Sequence, residues 1–269
     1  MKSYRGKRIL VTGSAGGIGR KLAMRFAREG ARLILTDVKE ADLRAAEAEV
    51  RAAGAEANAY VLDVTNDDAV LAVRDRVHAE VGPVDVLVNN AGVVFGGAFL
   101  DVPVARHRLT YDVNINGVVA MTHAFLRDLV NAPESQLVNV ASASGLIGLP
   151  NGATYASSKW AVIGFSESIR LELEQAGNRH VKVTTICPSY IATGMFEGVK
   201  PPLLTPVLTP DALVEKMFEA VQKEEIFLLE PKLVKTLPVL KGLLPPRMFD
   251  WVADRFGVST SMRAWRGHA

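Results

Sequence analysis

The sequence predicts an α/β fold: one doubly wound, seven-stranded parallel sheet flanked by helices, with a C-terminal helical extension. Short runs rich in Val, Ile and Leu alternate with longer segments of helical period, the pattern of strands covered on both faces. A glycine-rich turn lies between the first strand run and the first helical segment. No internal repeat or interdomain linker interrupts residues 1–230, so these are read as one domain, and residues 231–269 as its extension.

Strands are expected at Arg8–Thr12, Arg32–Thr36, Ala57–Leu62, Val84–Val88, Gln136–Val140, Val181–Ile186 and Ile226–Leu229, where aliphatic runs are too short for helices. Helices fill the intervals at 18–29, 40–53, 67–81, 105–130, 154–176 and 210–223. Residues 189–210 carry Pro201, Pro202, Pro206 and Pro210, a connection long enough to be a lid or a mobile loop. In the extension, Pro246 starts a short helix and Gly257 stops it, with Met248, Phe249, Val252 and Phe256 along one face.

The 269 residues are 49% hydrophobic and 22% charged, which excludes disordered and fibrous classes. Net charge is only +2, with no global basic field for nucleic acid. The tail is the exception: Lys232, Lys235, Lys241, Arg247, Arg255, Arg263 and Arg266 face only Asp250 and Asp254. The single Cys187 excludes an intrachain disulfide and fits a reducing cytosol. A strand beginning by Arg8 leaves too little chain for a signal peptide, and no apolar run is long enough to span a bilayer, so a cytoplasmic protein is expected. His78, His107, His123, His180 and His268 are scattered without metal-ligand spacing, so no metal is expected.

Thr12-Gly13-Ser14-Ala15-Gly16-Gly17-Ile18-Gly19 links the first strand to the first helix, the setting in which backbone N–H groups receive a dinucleotide pyrophosphate. Asp37, eighteen residues after Gly19, is placed to accept hydrogen bonds from the ribose hydroxyls of NAD and to repel the 2′-phosphate of NADP. Lys39 and Arg20 keep NADP open as the less favoured cofactor. Asp63, before Val64, either meets adenine or serves as a turn residue. Tyr155 and Lys159 are one helical turn apart, and a cation beside a phenol lowers its pKa from about 10, making a proton donor and acceptor for an alcohol or carbonyl.

The chain resembles the short-chain dehydrogenase/reductase family, a set of Rossmann-fold enzymes. Thr12, Gly13, Gly17 and Gly19 match its Thr-Gly-x-x-x-Gly-x-Gly pattern, and Asn89, Asn90, Ala91 and Gly92 match its Asn-Asn-Ala-Gly. Asn114, Ser142, Tyr155 and Lys159 match its active-site residues, and the motifs together span residues 8–193. The resemblance implies a cofactor site including Gly13, Gly17, Ile18, Gly19, Asp37, Asp63, Val64, Asn90, Ala91, Gly92, Tyr155, Lys159, Pro188 and Thr193. It also implies that Lys159 lowers the Tyr155 pKa and bonds the nicotinamide ribose, and that Asn114 holds a water leading from Lys159 to solvent. Ser189 stands where the family usually has Gly after Pro188, which questions the local loop geometry.

Val94, Phe95, Leu146, Ile147, Leu149, Tyr190, Met195 and Phe196 are the candidate substrate lining, nearly all apolar. They favour a lipophilic secondary alcohol or ketone. The tail, with Leu237, Leu240, Leu243 and Leu244 between basic residues, is similar to that of retinol and 17β-hydroxysteroid dehydrogenase-like members. Its favoured role is packing over the pocket or against another subunit, ahead of peripheral contact at the inner face of a membrane. The helices at 105–130 and 154–176 imply, through the resemblance, a homo-oligomer, dimer or tetramer. Two other functions are open: an NADPH-dependent 3-oxoacyl thioester reductase, opposed by Asp37, and a non-catalytic nucleotide sensor, opposed by the complete tetrad.

Overall fold

The computed structural model describes residues 1, 3–203 and 205–267. Seven strands, β1 (Arg8–Thr12), β2 (Arg32–Asp37), β3 (Ala57–Val61), β4 (Val86–Asn89), β5 (Ser135–Val140), β6 (Val181–Pro188) and β7 (Phe227–Glu230), form one sheet. All pairings are parallel, in the order β3-β2-β1-β4-β5-β6-β7. This is the expected Rossmann-like arrangement, with strand ends moved by one to two residues.

Side-chain alternation explains why both faces are covered. Ile9 and Val11 pack with Leu22 and Phe26 of α1 (Gly17–Arg28), Leu43 of α2 (Glu40–Ala52), and Leu213 and Met217 of α7 (Pro210–Gln222). Leu10 and Leu87 point the other way, into Val73 of α3 (Asp67–Glu80) and Met121 and Phe125 of α5 (Gly117–Asn131). Each fully buried aromatic such as Phe26 contributes about 2–3 kcal/mol of transfer free energy. Strand order reverses between β1 and β4, so the loops leaving them diverge and open a crevice at the carboxyl ends of the strands.

The helix expected across 105–130 is broken. It consists of α4 (Val104–Tyr111), a π turn at Asp112–Asn116, and α5. The Asn114 amide is drawn out of the helical surface to the Val93 backbone, and Gly117 lies where a Cβ would come within 2.6 Å of Val64 Cγ2. A widened turn accommodates both without ending the hydrophobic period.

α6 (Ala153–Gln175) carries the Tyr and Lys pair. The extension holds a 3₁₀ turn at Lys232–Thr236, α8 (Leu237–Leu243) and α9 (Pro246–Arg255). Pro246 does open α9, and Gly257 follows it with φ +85°, a left-handed position that glycine adopts without strain. Phe249, Val252 and Phe256 of the expected face line one cavity, though Phe256 is partly exposed, while Met248 is turned to solvent. Residues 195–203 are stitched to the end of the chain. Lys200 N–H donates to Ser261 O at 3.1 Å, Leu203 N–H to Phe256 O at 2.8 Å, and Arg266 N–H to Glu197 O at 2.8 Å. The indole of Trp265 donates to Met195 O at 3.0 Å. Among the described residues, no helix is long and apolar enough to cross a membrane.

Candidate active site

The glycine turn leaves β1 with Gly13 at φ +63° and Gly17 at φ +55°. A Cβ on Gly13 would lie 2.9 Å from Ala91 Cα, and one on Gly19 would overlap the Gly13 carbonyl. These positions therefore require glycine for close backbone approach as well as conformation. Asn90 ties the two loops together: its Nδ2 donates to Thr12 O at 2.9 Å and Gly13 O at 3.0 Å. In return, Thr12 Oγ1 accepts from the Asn90 and Ala91 N–H groups.

The start of α1 has no side-chain cap and no acidic residue in its first turn. Its N–H groups and positive end thus face the loop unopposed, which fits an anionic pyrophosphate. Ile18 packs partly into the core beneath. At the end of β2, Asp37 accepts from Ala15 N–H at 3.0 Å and Lys39 N–H at 3.1 Å, which fixes its carboxylate beside the glycine turn. Asp63 is exposed, and one oxygen closes a turn on Thr65 N–H and Oγ1, the turn reading of this residue. The Val64 side chain is spent packing on Gly117. Thr193 faces Gly17 from the far side, its methyl 4.0 Å from a Cβ built there.

Ser189 needs no glycine geometry. Its φ is not positive, and its N–H donates to Glu230 O at 2.8 Å, continuing the β6–β7 pairing.

The four candidate catalytic side chains converge at the carboxyl ends of β4, β5 and β6. Ser142 follows β5, with Oγ accepting from Ser144 N–H at 3.2 Å and donating to Pro188 O at 3.4 Å. Tyr155 and Lys159 occupy one face of α6, 6% and 4% exposed. Lys159 Nζ donates to Val140 O at 2.9 Å and lies 5.9 Å from the centre of the Tyr155 ring. Gly92 makes room for it: a Cβ there would sit 3.5 Å from Lys159 Nζ and 3.3 Å from Asn114 Oδ1.

Electrostatics at this pair differ from the sequence expectation. Burial pushes the Tyr155 phenol up to about 12 despite a hydrogen bond with Ser142. Burial also pulls the Lys159 ammonium down to about 8. Desolvation thus exceeds the cation's pull on the phenol. The Asn114 side chain is also committed: Oδ1 accepts from Val93 N–H at 2.8 Å, and Nδ2 donates to Val93 O at 2.9 Å and Ser158 Oγ at 3.0 Å. It braces the loop after β4 against α6 and leaves no amide hydrogen for a water.

Sequence reading missed Ser158, whose hydroxyl donates to Tyr155 O at 2.7 Å and links Asn114 to the catalytic helix. It also missed that Cys187 lies beside Lys159, its thiol pushed up to about 12 by burial. His107 stacks on Phe99, and His268 lies outside the described residues.

A cavity opens over Ser142 and Tyr155. Ile147, Leu149, Tyr190 and Phe196 line it as expected. Val94 and Met195 instead pack in the layer around Leu149 and Tyr155. Phe95 lies under the Arg106 guanidinium, and Leu146 packs with Val118 and Val162. Their places are taken by the extension: Leu233, Val234, Leu237, Leu240, Phe249 and Phe256 form the other wall. Among the described residues, no charged side chain lines this cavity.

A family model described as short chain dehydrogenase matches residues 7–203. Epidermal retinol dehydrogenase 2 of Mus musculus is 39% identical over 260 residues, covering 96% of this chain and 84% of the relative. Estradiol 17-beta-dehydrogenase 11 of Homo sapiens is 32% identical over 257 residues, covering 96% and 85% respectively. Among solved structures, a short chain dehydrogenase/reductase from Burkholderia phymatum in complex with NAD superposes with a TM-score of 0.82 at 27% identity. That match covers 90% of this chain and 95% of the other. An alcohol dehydrogenase from Thermococcus sibiricus complexed with 5-hydroxy-NADP gives 0.73 at 26% identity, covering 83% and 94%. The chain belongs to the short-chain dehydrogenase family, as an alcohol dehydrogenase or ketone reductase.

Proposed function

We propose that the chain is an NAD-dependent oxidoreductase of neutral, lipophilic secondary alcohols and ketones, with Asn114, Ser142, Tyr155 and Lys159 as its tetrad. The observation that carries this reading is the cavity over Ser142 and Tyr155, walled mostly by aliphatic and aromatic side chains with a few hydroxyls and, among the described residues, no charged side chain. Estradiol, in the name of one relative, is such a secondary alcohol, and retinol, in the name of another, is a primary alcohol with the same neutral, lipophilic body.

When bound, NAD supplies the hydride acceptor. The glycine turn and the start of α1 would hold its pyrophosphate and Asp37 its adenosine ribose, with Pro188 and Thr193 as the residues for its nicotinamide half. Asp37 favours NAD because its fixed carboxylate accepts from ribose hydroxyls and repels a 2′-phosphate.

Ser142 Oγ and Tyr155 Oη bind the substrate oxygen. A phenol pushed up to about 12 is neutral at physiological pH and ready to donate its proton to a carbonyl oxygen. In the oxidative direction the phenol must first release that proton, and the Lys159 ammonium, 5.9 Å from the centre of its ring, is the cation placed to favour the release. Ser142 stabilises charge developing on the substrate oxygen.

Tyr155→Phe tests this directly with retinol and estradiol as substrates. Turnover is expected to vanish with NAD affinity retained; a wild-type rate would refute the mechanism. Measuring NAD and NADP affinity on the wild-type chain separates this reading from the 3-oxoacyl thioester reductase, which requires NADPH.

The extension also presents an outward face. Leu243, Met248 and Trp251 are exposed on α8 and α9, beside Arg247 and Arg255. We propose peripheral contact of this face with an anionic lipid surface, where aromatic and basic side chains both gain. Co-sedimentation with phosphatidylserine vesicles, lost on Trp251→Ser with Leu243→Ser, is the expected result; equal binding would oppose it. Exposed Val104, Tyr111, Val119 and Leu171 on α4, α5 and α6 support a homo-oligomer through those helices, which sedimentation velocity tests.

A further inference from the structure

We propose that Trp160 and Lys241 are a positioning pair that couples closure of the C-terminal extension to alignment of the Ser142 hydroxyl. This rests on the assignment of Ser142 to catalysis.

Ser142 is held by hydrogen bonds of 3.2 and 3.4 Å, and it begins a 3₁₀ turn, Ala143–Leu146. That turn does not satisfy itself: the Ser144 hydroxyl is buried with no partner among the described residues. Gly145 N–H donates to Ser142 O at 2.9 Å within it, and further support comes from outside. Gly145 presses on α6 so closely that a Cβ would meet the Lys159 carbonyl at 2.8 Å. Trp160, the next residue of α6, donates its indole N–H to Ser144 O at 2.9 Å.

The second contact arrives from α8. Lys241 Nζ sits 3.6 Å above the Trp160 ring and donates to Leu146 O at 3.1 Å. One ammonium therefore touches both the brace and the last carbonyl of the turn. Cation–π attraction strengthens as the ammonium leaves water, and at 3.6 Å from the ring centre Lys241 is in contact with it. α8 is also a wall of the substrate cavity through Leu237 and Leu240. Seating the wall and steadying the turn that carries Ser142 are thus one event. A lifted extension would lose the roof and loosen the serine together.

Two conservative variants separate the parts. Trp160→Phe keeps a ring beneath the ammonium but removes the N–H donor. Lys241→Met keeps the aliphatic stem but removes the charge. Each is made in the wild-type and the Ser142→Ala background, with retinol and estradiol as substrates. Hydrogen exchange of the 142–147 peptide supplies a readout that needs no turnover.

In the wild-type background each variant is expected to lower kcat about tenfold, since misplacement of a catalytic group by under an ångström has effects of this order. NAD affinity should not change, and exchange of the 142–147 peptide should be faster. In the Ser142→Ala background the same substitutions should change kcat less than about twofold, because the group they position is absent. Lys241→Arg should restore most of the rate.

Equal fold losses in both backgrounds, or unaltered exchange in Lys241→Met, would overturn the coupling. Should Ser142→Ala itself turn over at the wild-type rate, the catalytic assignment falls and takes the coupling with it, an outcome that this single control distinguishes. If Trp160→Phe fails to fold, Lys241→Met on its exposed helix carries the test.

Discussion

Lys159 is held in a place that favours its neutral form, so replacing it should make the protein more stable while abolishing its activity. Burial pulls its pKa from 10.5 to about 8. At roughly 1.4 kcal/mol per unit, the charged side chain costs the folded state about 3 kcal/mol at pH 7. Lys159→Met removes this penalty and also the 2.9 Å hydrogen bond to Val140 O, a loss of about 1–2 kcal/mol. The variant should therefore be more stable by about 1–2 kcal/mol at pH 7. Between the folded pKa near 8 and the unfolded value of 10.5, the unfolded chain holds a proton that the folded one lacks, so wild-type stability rises with pH. The wild type should gain about 1.4 kcal/mol per pH unit through that window, so the gap closes and reverses within it, at about pH 9. Urea unfolding of both proteins at pH 7, 8, 9 and 10, at fixed protein concentration, measures it. A difference that stays flat with pH would refute the argument that Lys159 is charged against its surroundings.

Asp37→Ser removes the carboxylate beside the glycine turn. NAD affinity should fall about tenfold or more, with NADP affinity rising, as read by calorimetric titration. Gly19→Ala forces a methyl into the Gly13 carbonyl, and NAD binding should be lost, whereas Ser189→Gly should leave it unchanged because Ser189 adopts an ordinary backbone conformation. Because the phenol of Tyr155 is pushed up to about 12, the rate of alcohol oxidation should climb from pH 7 to pH 10 while carbonyl reduction does not, measured by nicotinamide absorbance. An oxidation rate independent of pH would count against Tyr155 as the base.

The cofactor half was legible because each requirement there is local in sequence. Gly13 is demanded by its own positive φ and Gly19 by contact with the Gly13 carbonyl in the same turn, and the aliphatic runs that make β1, β4 and β5 are contiguous. The π turn at 112–116 was hidden because the apolar period of α4 and α5 passes through it, while its cause, the pull of Val93 on Asn114, comes from twenty-one residues away. The pocket was half legible for the same reason. Ile147 and Leu149 follow Ser142 directly, but which of Phe95 and Phe249 reaches the cavity depends on how distant segments fold over it. The balance of desolvation against charge at Tyr155 and Lys159 depends on burial, which spacing alone does not report.

The backbone stitching between residues 197–203 and 256–266 has a consequence for inheritance of substrate range. One strip of this fabric falls inside the region matched by the family model and the other lies beyond it. A relative that gains or loses a residue in either strip alone throws these main-chain hydrogen bonds out of register rather than merely reshaping a side-chain wall. New specificity in this lineage should therefore arise by paired replacement, and a chimera that exchanges only the terminal segment should be poorer than either parent, while one that exchanges both strips together carries the donor's substrate with it.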